Sequence, residues 1–376
     1  MRGRRVRGAW GLALVLLLVM ACTPVTPSSS SPVLSLRDMA GRPVQLARVP
    51  RRVVGVGPGA LRLIVYAGAV DRVVGVEGVE KRWKPTGRPY AMAHPEVREL
   101  PTIGPGGPGR PPDPEALLQV HPDLIVATYM DARAADALQD KTGIPVLVLR
   151  YGELGTFDER LFKALEVLGR ALGTSERTRT VQEFLHRVEE DVHTRGQAIP
   201  PEERPRVYVG GVGFKGAHGI ESTQAHFPPF TLVGARNVAD ELGGTHHIVN
   251  REQILLWDPD VLFVDEGGLA LIHEDVQRNP EFYEGLKAFR EGRVYGLLPF
   301  NFYMTNVGTA LADAYAVGKV LYPESFADVD PAAKADEIYR FLVGAPVYGE
   351  MQQAFGGFGR LDLRKSNPRE GLPVAP

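Results

Sequence analysis

The chain contains one cysteine in 376 residues, so no internal disulfide can staple it and its stability must come from packing. It has no Gly-x-Ser-x-Gly elbow and no phosphate-binding loop, which removes the most legible signatures of acyl transfer and nucleotide chemistry. The stretch VVGVGPG, residues 53–59, begins like a glycine-rich nucleotide turn but lacks the full spacing and a suitably placed acidic partner. Among His218, His226, His246 and His247 no His-x-x-x-His or Glu-x-x-His spacing fixes a metal geometry on a helix. No metal site and no resident cofactor are therefore expected. His121, His186 and His193 fall in helical surface patterns. The formal charge is −2, and nothing in its distribution suggests a nucleic-acid partner.

The single cysteine, Cys22, has an informative position. Arg2, Arg4, Arg5 and Arg7 precede an uncharged apolar run, Gly8–Ala21, which ends in small residues. A basic start followed by a short apolar segment describes a secretory signal. The run falls short of the roughly 20 apolar residues of a comfortable membrane span. Val19-Met20-Ala21-Cys22 resembles a bacterial lipobox, which implies cleavage before Cys22 and attachment of lipid to that cysteine. Residues 23–32, TPVTPSSSSP, have the composition of a flexible tether. Loss of the four arginines changes the formal charge from −2 to −6. The expected location is extracytoplasmic, anchored to a bacterial membrane by lipid.

One pattern occurs twice. Residues 112–126 read PDPEALLQVHPDLIV and residues 250–264 read NREQILLWDPDVLFV. Both follow Glu-x-x-Leu-x-x-x-Pro-Asp and then an apolar run, with Glu115 and Glu252 each seven positions before the proline. Each copy predicts a short helix, a proline stop and a buried strand. Asp113 and Asn250 suit N-caps, and Pro114 suits a first helical position. Two copies 137 residues apart indicate two similar lobes rather than a solenoid.

The surrounding pattern agrees. Strand-like runs fall at Val53–Val56, Val73–Val76, Leu124–Thr128 and Val146–Leu149, then at Arg206–Val209, Val261–Val264 and Val294–Leu297. Helical patterns such as Ala132–Thr142 separate them, as expected of parallel strands buried on both faces. Residues 157–198 contain no strand-like run. Leu161, Leu165, Leu168 and Leu172 have helical spacing, and a second helix capped by Thr174 or Ser175 should run to about Gln197. Its buried stripe would be Val181, Phe184, Leu185, Val188 and Val192. The expected fold class is α/β: two α/β sandwich lobes with mostly parallel central sheets, joined by one long helix, with a ligand cleft between them. The expected division is a signal at 1–21, lipidated cysteine and linker at 22–32, a first lobe at 33–156, a linking helical segment at 157–199, a second lobe at 200–325, and a C-terminal helix and tail at 326–376. Pro331–Leu342 reads as a helix, the tail is expected to close over one lobe, and residues 360–376 read as disordered.

In open α/β sheets ligands bind beyond the carboxyl ends of strands. That rule selects residues 58–60, 129–131, 150–151, 213–215, 266–268 and 300–303. Two loops stand out. Residues 81–107 carry Arg82, Trp83, Lys84, Arg88, Tyr90 and His94, a mixture suited to anionic, planar or chelated ligands. Residues 213–230 begin glycine-rich, which permits close approach of a ligand, and carry Lys215, His218, Glu221 and His226. The candidate ligand contacts are Arg82, Trp83, Arg88, Tyr90, Tyr129, Tyr151, Lys215, His218, His226, Phe300, Asn301 and Tyr303.

Taken in order, GAVDRVVGV, LPTIGPGGPGRPPDPEALLQVHPDLIV, TGIPVLVL, VGARNVADE, VNREQILLWDPDVLFV and EGRVYGLLP resemble the substrate-binding lipoproteins of ABC importers for ferric siderophores, haem and cobalamin. The resemblance covers Val33 to Pro323. It implies two lobes joined by a long helix, a ligand held between them, no catalysis, and a permease and ATPase as partners of a monomer. It also implies that Glu115 and Glu252 dock on permease arginines, where otherwise they would only complement helix N-termini. The segment around KGAHGIESTQAHFPPF and the long C-terminal tail depart from the usual pattern. The expected cargo is a metal chelate, foremost a ferric siderophore, with cobalamin or another corrinoid and haem as alternatives. Readings from other classes are a lipid-anchored metal-dependent hydrolase using His218, Glu221, His226 and His246, and a structural or adhesive lipoprotein.

Overall fold

The computed structural model describes residues 34–107 and 109–369. The signal, Cys22 and the linker lie outside the described residues. The described chain begins with an antiparallel hairpin, β1 (Leu34–Arg37) and β2 (Pro43–Leu46). The first sheet follows, built from β3 (Val53–Val56), β4 (Val73–Gly75), β5 (Leu124–Thr128) and β6 (Val146–Leu149) in the order β4-β3-β5-β6, all parallel. Valine, isoleucine and leucine dominate these strands, and every residue of β3, β5 and β6 is buried. Apolar side chains on both faces require helices on both sides of the sheet.

The second sheet has the order β13-β12-β11-β7-β9, from β7 (Arg206–Gly210), β9 (Arg236–Asn237), β11 (Val261–Asp265), β12 (Val294–Leu297) and β13 (Gly359–Arg360). All its pairings are parallel except that of β13, which runs antiparallel to β12. A ribbon of β8 (Ser222–Gln224) and β10 (His246–Ile248) sits beside it. The expected strands are all present, and the architecture is two α/β lobes with mostly parallel sheets.

The repeated motif has a clear physical role. Asp113 accepts hydrogen bonds from the N–H groups of Glu115 and Ala116 at the start of helix Pro114–Gln119. Asn250 accepts one from Gln253 at the start of helix Arg251–Trp257. Each helix is followed by a left-handed residue before the proline, His121 (φ 43°) and Asp258 (φ 36°). The aspartate after each proline then ties its strand to the neighbour. Asp123 accepts from the N–H groups of Arg51 and Arg52 ahead of β3, and Asp260 from that of Arg206 at the start of β7. Both sheets are thus fastened at the same end by the same device.

Two helices link the lobes. Glu159–Leu172 buries Leu161, Leu165, Leu168 and Leu172, and Ser175–Gln197 buries Val181, Phe184, Leu185, Val188 and Val192 along one stripe. Gly169 lets the pair pack closely, since a Cβ there would lie 2.1 Å from Thr178 Oγ1. Thr174 occupies the cap position of the long helix, but its hydroxyl makes no hydrogen bond.

The tail differs from expectation. Helix Pro331–Val343 packs on helix Val307–Leu321, and helix Tyr348–Phe355 follows. Residues 360–369 are ordered rather than disordered. Leu361 and Leu363, one residue apart, are buried in the second lobe, and Arg369 reaches buried Glu266. The two-residue edge strand β13, two buried leucines and one charge complement hold this segment, a signal too brief to register as periodicity. Residues 370–376 lie outside the described residues.

Candidate functional site

A cleft of about 1490 Å³ opens at the carboxyl ends of β3, β5, β7, β11 and β12. The first lobe supplies Val56–Pro58, Arg82–Lys84 and Thr128–Asp131, among others, and the second supplies Gly213, Lys215, Asp265 and Asn301–Met304. Of the expected contacts, Arg82, Trp83, Tyr129, Lys215, Asn301 and Tyr303 line the cleft. The structure does not place Arg88, Tyr90, Tyr151, Phe300, His218 or His226 on its wall.

The physical reasons are specific. Arg88 is fully buried in an ion pair with Glu80, and Tyr90 donates to the other oxygen of that carboxylate at 2.9 Å. Arg88 also donates to the carbonyls of Trp83 and Lys84, both at 3.2 Å, so it shapes the cleft rim from behind. Tyr151 is buried beside Gly59 and accepts a hydrogen bond from Arg62. Phe300 packs on Phe227 with ring centroids 5.3 Å apart. His218 bonds the Phe214 carbonyl at 2.7 Å, and His226 is exposed near Asp240. His246 stacks on Phe214 and bonds Ser222. Burial, then the neighbouring His218 and His247, hold its imidazole below the ordinary range. Glu221 is paired with Arg251. These four groups do not converge on a metal, and among the described residues no cluster of three or more His, Cys, Asp or Glu could hold one.

The residue that sequence reasoning missed is Arg62, on helix Ala60–Tyr66 of the first lobe. It is buried and, among the described residues, has no carboxylate against it. It donates to the Tyr151 hydroxyl, to Asn306 Oδ1 at 3.1 Å, and to the carbonyls of Phe302, Tyr303, Met304 and Thr305 at 2.8–3.3 Å. Its guanidinium lies 5.1 Å from the Tyr90 ring centroid. One first-lobe cation therefore collects the backbone of the second-lobe loop that lines the cleft. Tyr303 closes the same junction from the other side. It donates to Glu77 at 2.6 Å, accepts from the Gly107 N–H at 3.1 Å, and meets Trp83 edge-on at 5.4 Å. Burial pushes the Glu77 carboxyl up to about 7, although the Tyr303 hydroxyl opposes the shift. A signal for Arg62 was present: it is the only charge in the apolar stretch ALRLIVY.

The electrostatics of the cleft are lopsided. Arg82, Lys84, Arg110 and Lys215 line it, and none forms an ion pair with a carboxylate among the described residues. Against them stand Asp131, which caps helix Ala132–Thr142, and Asp265. Burial pushes Asp265 up to about 7, against the pull of the Gly267 and Gly213 N–H groups. Beneath it Glu266 is pushed up to about 8 by burial, with Arg369 opposing, and burial plus Asp265 raises Asp313 well above the carboxylate range. Asn301 donates to the Gly213 carbonyl at 3.1 Å and leaves Oδ1 without a partner. Trp83, Tyr129, Phe302 and Tyr303 supply flat apolar area.

Two lobes, a joining helix pair and a roomy cleft between the lobes are the architecture of a solute-binding protein. The family model for periplasmic binding proteins matches residues 53–299, and the chain belongs to that family. It is 21% identical over 294 residues to an uncharacterized ABC transporter substrate-binding lipoprotein of Bacillus subtilis (strain 168), YvrC, covering 78% of this chain and 86% of that one. A periplasmic solute binding protein from Veillonella parvula shares the fold with a TM-score of 0.67 at 17% identity, over 86% of this chain and 96% of the other. The molybdate-bound protein MolA of Haemophilus influenzae does so with a TM-score of 0.64 at 19% identity, over 83% and 98%. The chain is a substrate-binding protein of an ABC transporter and not an enzyme.

Two outcomes follow from this site. Trp83 is 41% exposed in the cleft, whereas Trp257 is buried and bonded to Glu241. In a Trp10→Phe, Trp257→Phe background, iodide should quench Trp83 severalfold better than caesium, and Lys84→Gln with Arg110→Gln should shrink the difference; equal quenching would contradict a cationic cleft. The buried acids make a second prediction. Their folded pKa values lie above their unfolded ones, so the native state holds more protons and loses stability as pH rises. The midpoint of thermal unfolding should fall from pH 5 to pH 8, by an amount on the order of a few kcal/mol in stability. Asp313→Asn, which keeps an acceptor for the Leu298 N–H, should flatten that slope.

Proposed function

We propose that this protein captures an anionic metal chelate, a ferric siderophore, outside the cytoplasm and delivers it to the permease of an ABC importer. The observation that carries the reading is the set of four cations, without ion-pair partners among the described residues, around a cleft walled by aromatic rings. Arginine and lysine complement an anion, and the rings complement a flat, partly apolar body. The volume argues for a bulky ligand. At about 1490 Å³ the cleft exceeds the ~300–1,000 Å³ of ordinary small-molecule sites, far more than a bare oxyanion such as MolA's molybdate needs.

Haem fits less well. Haem iron is commonly held by a histidine or a tyrosine, and methionine serves as axial ligand beside a histidine. His218 and His226 lie off its wall, and the hydroxyls of Tyr129 and Tyr303 are committed to the Gly152 carbonyl and to Glu77. Cobalamin carries a single phosphodiester and so would use at most part of the positive charge.

Delivery is assigned to Glu115 and Glu252. Each stands exposed in the first turn of its repeat helix, one per lobe, without an ion-pair partner among the described residues. Each is followed three residues later by an exposed leucine, Leu118 (45% exposed) or Leu255 (39%), and Leu256 is 77% exposed. An acidic group beside apolar surface suits a basic and partly apolar permease face. Cys22 is assigned as the lipidated residue that keeps the protein at the membrane, and the folded part as a monomer.

Fluorescence titration with ferric catecholates, ferric hydroxamates, cobalamin and haemin tests the reading. One ferric chelate should bind with a Kd below ~1 μM, a free energy beyond about −8 kcal/mol. Arg110→Glu with Lys215→Glu should weaken it at least tenfold. Glu115→Ala with Glu252→Ala should leave that Kd unchanged while abolishing uptake in cells. Saturation by cobalamin or haemin alone would contradict the cargo, and uptake surviving the double substitution would contradict the docking assignment.

A further inference from the structure

The family match ends at residue 299, yet the cleft does not. Helix Tyr348–Phe355 of the tail places Ala354 and Phe355 on its wall. The Phe355 ring is half-buried and lies 6.1 Å from that of Phe302, a cleft residue of the second lobe, at an interplanar angle of 46°. After Phe355 the chain turns through Gly356 (φ 121°) and Gly357 (φ 79°) and is fastened at once. Glu266 accepts from the Gly357 N–H at 2.6 Å and pairs with Arg369, which also donates to the carbonyls of Gly357 and Phe358. A Cβ at Gly296 would lie 2.3 Å from the Glu266 carboxylate, and one at Gly356 2.6 Å from Arg369 Nε, so the ion pair is enclosed by two glycines. The Phe358 N–H donates to the Tyr348 hydroxyl at 3.0 Å, and β13 adds the segment to the sheet at β12. A loose tail would need none of this. The fastening begins two residues after the ring.

We propose that the C-terminal segment Tyr348–Arg369 is a wall of the ligand site and that Phe355 is a specificity-determining residue, selecting anions that carry a planar or apolar face over compact polar ones. The inference rests on the reading of this cleft as the ligand site. The Glu266–Arg369 pair is the positioning element: it touches no ligand and fixes the turn from which Phe355 projects.

Phe355→Ala, Phe355→Leu and Arg369→Gln test it in the otherwise intact chain, titrated with two anionic probes, iron(III) tris-catecholate and anilinonaphthalene sulfonate. Phe355→Ala should weaken each probe that binds the wild type by roughly tenfold, and Phe355→Leu should fall between. Arg369→Gln should weaken binding similarly while speeding amide exchange at Gly357–Leu361, a readout that a ring substitution alone would leave unchanged. If the dye binds and loses affinity while the chelate does not bind, the wall stands and the chelate reading falls. If the chelate binds equally well to wild type and Phe355→Ala, the wall falls and the chelate reading stands. Binding of neither probe to the wild type overturns the wall.

Discussion

The site depends on one buried guanidinium. Arg62 sits at the lobe junction, shielded from water, with six neutral acceptors and, among the described residues, no carboxylate in contact. A buried charge is costly unless its hydrogen-bonding capacity is filled. Here that capacity is filled by the backbone of residues 302–305, the Asn306 side chain and Tyr151. The acceptors cannot leave without stranding the cation, so the loop that carries Phe302 and Tyr303 is held in one arrangement. Tyr303 then fixes its own end against Glu77 and Gly107. Together these contacts hold the walls of the cleft in one arrangement.

That constraint organises the rest. Behind the first-lobe rim, Glu80 pairs with Arg88 and accepts from Tyr90, and Arg88 holds the Trp83 and Lys84 carbonyls while Tyr90 lies under Arg62. Charges that look available in the sequence are consumed in this scaffold. Those left facing the cleft are the four cations, the helix-capping Asp131 and Asp265, a floor acid raised toward neutrality. The long helix, and the ties between Gln224 and the Gly155 carbonyl and between Gly155 and Thr305, brace the lobes at the back. A preorganised cleft saves ordering cost on binding, so a large and weakly deformable ligand suits it.

The fold was legible because parallel strands buried on both faces must be continuous apolar runs, and β3, β5, β6, β7, β11 and β12 are such runs. The caps Asp113 and Asn250 were legible for the same reason: local chemistry dictates them. The site was legible only in part. Strand-end geometry located the loops, but residue type does not reveal whether a side chain faces the cleft or the scaffold, so Arg88, Tyr90, Tyr151 and Phe300 were expected beside the ligand and instead support the wall. The better signal was a charge inside an apolar run. Arg62 in ALRLIVY and Asp313 in TALADAYAVG both break such runs, and both are buried in the structure. The ordering of residues 360–369 was hidden because it depends on an edge strand and on Glu266, about a hundred positions away in sequence.

The account's central claim is that Arg62 and Tyr303 fix the lobes around a preformed cleft. The most direct measurement is the interlobe distance distribution by pulsed electron paramagnetic resonance, with spin labels at exposed Ala137 and Glu281 and Cys22 replaced. The account predicts one narrow distance that moves by less than about 2 Å when iron(III) tris-catecholate is added, and a broad distribution in Arg62→Leu. A bimodal distribution in the wild type, or a ligand-induced shift well beyond that limit, would contradict it.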